Sequence, residues 1–208
     1  SKLYVNAGKV TNKGIELALG FKQNIGPVDW KTTLLWSLNR NRIDQLLPEY
    51  TNEELGVTVH LDEMDVYSLG GAKQRLTVGG SMGDVYVNTM RTDEHGHIWM
   101  NSMTGTLETD KNNYVYAGNT NPKYTLSWRN EFNWKGISLG FMLNARVGGI
   151  GVSATQAVMD YYGVSKTSAE ARDNGGVKVN GQMIDAQTWY QTIGANGTGY
   201  VGSMYVYS

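Results

Sequence analysis

The chain has 208 residues, and its 18 Lys and Arg stand against 19 Asp and Glu for a net charge of -1, so no basic surface points to nucleic acid. Twenty-six glycines, 13 tyrosines and six tryptophans with only three prolines suit a turn-rich β protein. The absence of cysteine excludes disulfide frameworks and thiolate chemistry, and no run approaches the roughly 18 apolar residues of a transmembrane helix.

The first clear pattern is an alternation. Ile15, Leu17, Leu19 and Phe21 are apolar, while Glu16, Ala18, Gly20 and Lys22 between them are small or charged. Beyond "NIGPVD" the period continues, with Trp30, Thr32, Leu34, Trp36 and Leu38 against Lys31, Thr33, Leu35, Ser37 and Asn39. Period two with unlike faces predicts two long strands joined by a tight turn. Residues 41–80 form a polar connection carrying short strands such as "GVTVHL" and "RLTVG". A weaker hairpin is expected next, with Val85 and Val87 on one face, a turn at "TDEHGH" and "IWMNS" returning; residues 103–122 then lead on through the turn-rich "YAGNTNPK".

The longest pattern spans Lys123 to Gly149. Tyr124, Leu126, Trp128, Phe132 and Trp134 alternate with polar residues, and beyond Lys135-Gly136 so do Ile137, Leu139, Phe141, Leu143, Ala145 and Val147. A two-residue loop there pairs Trp134 with Ile137, Phe132 with Leu139, Trp128 with Leu143 and Tyr124 with Val147. A slip of one residue would set every apolar side chain opposite a polar one, so the pattern selects this register. Asn130 is the weak point, falling inside the apolar set opposite Phe141. At about 3.4 Å per residue and a tilt near 40°, Tyr124 to Trp134 rises about 26 Å, the height of the apolar band of an outer-membrane barrel. The apolar face of a soluble β-sandwich gives the same periodicity, so both readings stand on patterning alone. In the barrel reading Trp30 and Trp134 mark the interface on the short-turn, periplasmic side.

After Gly149 the character changes. "SKTSAEARDNGG" predicts a short helix ended by glycine, "VKVNGQMI" a small hairpin on an Asn-Gly turn, and "DAQTWYQTIG" a helix capped by Asp185. The division expected is therefore 1–149 as consecutive barrel strands and hairpins, and 150–208 as a long structured external loop running into a further strand. The fold class expected is all-β, an antiparallel segment of a large transmembrane β-barrel with long extracellular loops carrying short helices.

Candidate chemistry is sparse. Glu16, Lys31, Arg129, Glu131 and Arg146 fall on the polar face, where they suit a water-filled lumen or a structural ion network packing its interior. Tyr161, Tyr162, Trp189 and Tyr190 suit a loop surface that meets a partner or ligand, or the loop's own small core. "DEHGH" places His95 and His97 two apart on a turn, where such pairs are more often solvated than ligating, and no cofactor is implied. No phosphate loop, nucleophile elbow or paired catalytic carboxylates appear, so the sequence offers no basis for an enzyme.

"VNAGKVTNKGIELAL" (5–19), "GNTNPKYTLSWRNEFNWKGISLGFMLNARVGG" (118–149) and "AVMDYYGVSKTSAEARDNGG" (157–176) resemble the SusC/RagA-type TonB-dependent outer-membrane transporters of the Bacteroidetes group. Asn12 to Glu16 is similar to the family's Asn-Lys-Gly-Ile/Val-Glu strand start, and Gly118 to Pro122 to its Gly-Asn-x-x-Pro segment before a barrel hairpin. The resemblance implies a plugged barrel in the bacterial outer membrane, energised by the TonB complex through amino-terminal regions absent here, and capped by a SusD-like surface lipoprotein that helps capture glycan oligosaccharides or peptides. Outer-membrane lipid would surround it. With about six to eight strands the chain reads as part of a much longer barrel, and both of its ends read as cuts. The alternative is a soluble surface-exposed β-domain that binds ligands or adheres without transport.

Overall fold

A computed structural model describes residues 8–52, 56–197 and 199–208. In chain order the strands are β1 (Lys9–Ile25), β2 (Val28–Gln45), β3 (Leu47–Asn52), β4 (Val57–Leu61), β5 (Glu63–Leu69), β6 (Ala72–Thr77), β7 (Asp84–Met90), β8 (Thr109–Asn119), β9 (Tyr124–Trp134) and β10 (Ile137–Val147). There follow β11 (Gly151–Val152), α1 (Ala154–Tyr161), α2 (Lys166–Asp173), β12 (Val177–Val179), β13 (Gln182–Ile184), α3 (Ala186–Ile193) and β14 (Val206–Tyr207). The fold is all-β and antiparallel, with a few short helices. No described helix is long and apolar enough to cross a membrane.

Two compact units divide the chain. The first takes the described residues of Ser1–Asp62 together with Thr77–Met82 and Asn121–Gly149. Its centre is a four-stranded sheet in the order β1-β2-β9-β10. The β9–β10 register is the one the alternation selects, from Trp134↔Ile137 to Val147↔Tyr124. Lys135 (φ 44) and Gly136 (φ 86) make the tight turn, both in the left-handed region that suits a two-residue hairpin. β1 and β2 pair from Ile25↔Val28 to Lys9↔Gln45, with an irregularity at Lys9/Val10. These two strands have 17 and 18 residues, longer than the alternation alone marks. β1 begins at Lys9, so Asn12 to Glu16 lies inside the strand and not at its start. Gly14 serves close packing there, since a Cβ would sit 2.8 Å from the Leu38 carbonyl oxygen.

β2 and β9 are neighbours although a long excursion separates them in sequence. The segment 77–82 returns to the end of β2, where the amide of Ile43 donates to the carbonyl of Gly80 at 2.9 Å and that of Gly79 donates to the carbonyl of Ile43 at 2.7 Å. Asn41 Oδ1 accepts from the Ser81 hydroxyl and the Met82 amide.

The second unit takes Glu63–Leu76, Gly83–Thr120 and Ile150–Ser208. Its sheet runs β5-β6-β7-β8, and β7 is buried along most of its length. The expected return of β7 through "IWMNS" is corrected: the partner strand is β8, and residues 91–108 form a decorated tip held by isolated bridges Thr92↔Ile98 and Met100↔Leu107. The turn at "TDEHGH" does form, with Asp93 Oδ1 accepting from the amides of His95 and His97. α2, the β12–β13 hairpin on Asn180-Gly181, and α3 lie where the sequence predicts them, capped by Ser165 and Asp185. α1 (Ala154–Tyr161) is an element beyond those predicted from the sequence. Its signal is Ser153 three residues before Gln156, a capping pair whose hydroxyl accepts from the Gln156 amide. Met90, Leu107, Ala157, Val179, Trp189, Ile193, Tyr200, Val201 and Tyr205 form this unit's core.

Candidate functional site

The four-stranded sheet sorts its side chains by register into two unlike faces. One carries Ile15, Leu17, Leu19 and Phe21 from β1, Trp30, Leu34 and Trp36 from β2, Leu126, Trp128, Phe132 and Trp134 from β9, and Leu139, Phe141 and Leu143 from β10. Many of these are open at the surface, Leu19 being 55% exposed and Leu139 64%. Aromatic contacts tie the strands together: Trp30 stacks on Phe132 at 6.1 Å, Phe21 meets Trp30 edge-on at 5.8 Å, and Trp128 meets Phe141 edge-on at 6.1 Å.

Beside Gln23, which stands opposite Trp30 near the turn, two polar residues interrupt the middle of this face, and they are directly paired: Thr32 opposite Asn130, with Phe21 and Phe141 on their outer flanks. Each is taken up by an indole from an adjacent row. Trp30 Nε1 donates to Asn130 Oδ1 at 3.1 Å, and Trp128 Nε1 donates to Thr32 Oγ1 at 2.8 Å. Asn130 is only 1% exposed beneath the rings. The sequence's weak point is therefore tied into the sheet by its indoles, which donate to Asn130 Oδ1 and Thr32 Oγ1, while the Asn130 Nδ2 amide is buried with no hydrogen-bond partner among the described residues.

The opposite face carries all five charged candidates. Lys31 stands opposite Glu131, and Arg129, on the same face of β9 two residues away, is ion-paired with Glu131. These three residues form one cluster. Glu16 and Arg146 lie in another row, on the two outer strands, with Ser37 and Thr125 between them and hydrogen-bonded at 2.7 Å. Ser127 donates to Asn144 Oδ1 at 2.6 Å on the same face. Short hydroxyl, amide and charged groups thus replace the apolar packing of the other side.

The aromatic candidates beyond Gly149 separate. Trp189 is 8% exposed and belongs to the core, which corrects its placement on a contact surface: Ala186, Trp189 and Ile193 share the buried stripe of α3. Tyr161, Tyr162 and Tyr190 instead line a cavity of about 410 Å³ with Arg172, Gln187 and Gln191. Tyr162 is 67% exposed and meets Tyr161 edge-on at 5.2 Å. Burial pushes the Tyr190 hydroxyl above its ordinary range, against a hydrogen bond with Thr167 that lowers it. Beneath the cavity the buried Asp160 accepts from Gln156 Nε2 at 2.8 Å and Thr167 Oγ1 at 3.1 Å, locking α1 to the start of α2. Among the described residues no group of three or more His, Asp or Glu side chains is placed to hold a metal ion.

The fold is that of an antiparallel all-β chain with long two-faced strands and a helix-bearing connection. The chain is similar to the solved structure of the RagAB peptide transporter, with a TM-score of 0.55 and 16% identity over 89% of this chain. The chain spans about a fifth of that chain's length, the match covering 21% of it. At this identity the likeness is one of fold. No family model matches the sequence, and no curated protein does.

Proposed function

We propose that this chain is part of the barrel of a TonB-dependent outer-membrane transporter of the SusC/RagA type, importing oligosaccharides or peptides together with a SusD-like lipoprotein. One observation carries the reading. The apolar face spans four strands about 4.8 Å apart and eleven residues of about 3.4 Å, roughly 700 Å², well above the few hundred Å² that soluble monomers leave open. That face has bilayer height, and the two directly paired polar residues at its centre, Thr32 and Asn130, each accept from an indole N–H. The fold likeness to the RagAB peptide transporter supports the same class.

On this reading Glu16, Lys31, Arg129, Glu131 and Arg146 face the lumen. Tyr161, Tyr162 and Tyr190 belong to the extracellular side, where they meet the lipoprotein or shape the mouth of the cavity. Coupling to the TonB complex rests with segments outside this chain. Cell fractionation tests the proposal: the full-length protein should sediment with the outer membrane and need detergent for extraction. Recovery in the aqueous fraction without detergent would overturn it and favour a soluble ligand-binding β-domain.

A further inference from the structure

A second cavity in the helix-bearing unit, about 390 Å³, opens between β8, the end of α3 and the segment 199–201. Its polar lining includes Asn88, Thr109, Lys111, Gln191, Thr192 and Tyr200, with Tyr114 and Asn196 beside them, and no Asp or Glu contributes to it. Tyr200 is 6% exposed, and its hydroxyl is buried with no hydrogen-bond partner among the described residues. The ring cannot swing freely, because Gly70 packs so closely that a Cβ there would collide with it, and Tyr205 meets it edge-on at 5.8 Å. Buried hydroxyls are normally satisfied, so an orphan at a cavity wall marks the place of a missing acceptor.

Lys111 is the second unmatched group. It makes no ion pair within 4.0 Å among the described residues. The adjacent Asp110 carboxylate is turned onto its own chain, accepting from the amides of Asn112 and Asn113. Burial pushes the Tyr200 hydroxyl above its ordinary range, so it stays a donor throughout neutral and mildly alkaline pH. The cavity therefore joins an ammonium, two tyrosines, two threonine hydroxyls and three amides, with no carboxylate in its lining to oppose an anion.

We propose that this cavity binds a small ligand through a carboxylate, taken up by Lys111 and the Tyr200 hydroxyl while Asn88 and Gln191 serve its other polar groups. Two sources share that chemistry, an acidic peptide and a uronic acid, and neither depends on the membrane reading of the sheet. The test is titration calorimetry of the full-length protein in detergent with the dipeptide Gly-Glu, with glucuronate and with glucose as the neutral control. One or both acids should bind, identifying the source, and glucose should not. Lys111→Met should weaken the acid by about tenfold or more. Tyr200→Phe should weaken it by about fivefold while leaving the thermal midpoint of the ligand-free protein unchanged or higher, since it removes a hydroxyl without a partner. Three results would each overturn the proposal: no heat from either acid at about 10 mM, equal binding of glucose, or a lowered ligand-free midpoint for Tyr200→Phe. The last would reveal a structural hydrogen bond at that hydroxyl.

Discussion

Arginine placed at Leu19 and at Ala18 separates a lipid-facing sheet from a water-facing one. The two positions are adjacent in β1 and point to opposite faces, Leu19 paired with Leu34 and Ala18 with Leu35. Leu19 lies six residues from Ile25 at the turn, which at about 3.4 Å per residue and a tilt near 40° puts it about 16 Å above the turn end. With an apolar band of about 25 Å, that is within about 3 Å of the midplane. Arginine there should cost about 2–3 kcal/mol, slightly below the midplane maximum. Ala18→Arg lies on the face of Glu16, an opposite charge two residues away, and should cost about 0.5 kcal/mol or less. The measurement is reversible denaturant unfolding of the full-length protein from phospholipid vesicles, comparing both variants with the parent. Leu19 is 55% exposed, so in water its replacement would fall within about 0.5 kcal/mol of neutral. A difference between the variants below about 0.5 kcal/mol would refute the lipid-facing assignment.

Two further outcomes follow from pairs on the page. Trp30→Phe strips the buried Asn130 of its donor and should cost about 1–3 kcal/mol, while Trp30→Phe with Asn130→Leu should cost at least about 1 kcal/mol less than the two single changes added together; strict additivity in unfolding titrations would show the indole and the amide to be independent. In the other unit, the hydrogen bond from Arg75 holds the Asp65 carboxyl below its ordinary range against the opposing effect of burial, with a further hydrogen bond from Lys73 and both cations' charges adding to it. A depressed folded value means this contribution is complete above the unfolded value near 3.9 and is lost as pH falls through the folded one. Because Asp65 is 41% exposed, solvent screening keeps the contribution below about 1 kcal/mol. Local hydrogen exchange in β5 and β6 should therefore distinguish Asp65→Asn from the parent at pH 6 and cease to do so near pH 2; a difference persisting in acid would mean the change acts through packing.

The sequence discloses what is local. Alternation on both sides of Lys135-Gly136 leaves one register for β9 and β10, and the same holds around Gly26-Pro27 for β1 and β2. It does not disclose that β2 lies beside β9, because pairing between distant strands leaves no periodic mark in either. The same limit misassigned the return of β7: "IWMNS" follows the turn at once, whereas β8 begins at Thr109. Trp189 was readable in principle, since Ala186, Trp189 and Ile193 recur at helical spacing and mark a buried stripe that leaves Tyr190 to one side. Asn130 looked like a flaw because its meaning depends on Trp30, 100 residues away. The cavity at Tyr200 was illegible for a similar reason: Asn88, Lys111 and Gln191 come from three separate elements.

The seam between β2 and β9 joins residues far apart in sequence, Ser37 and Thr125 being separated by 88 positions, whereas each flanking hairpin closes on a two-residue turn. Folding should respect that difference. The hairpins can zip within about microseconds of meeting favourable conditions, but the central seam must wait until the whole intervening excursion has been gathered in, so its closure sets the slow phase. The entropy of closing such a loop grows only logarithmically, about 0.6 kcal/mol for each doubling of its length. Once the seam can form at all, the excursion is nearly free to lengthen, shorten or be replaced, and change in the outer elements need not disturb the strands that carry them.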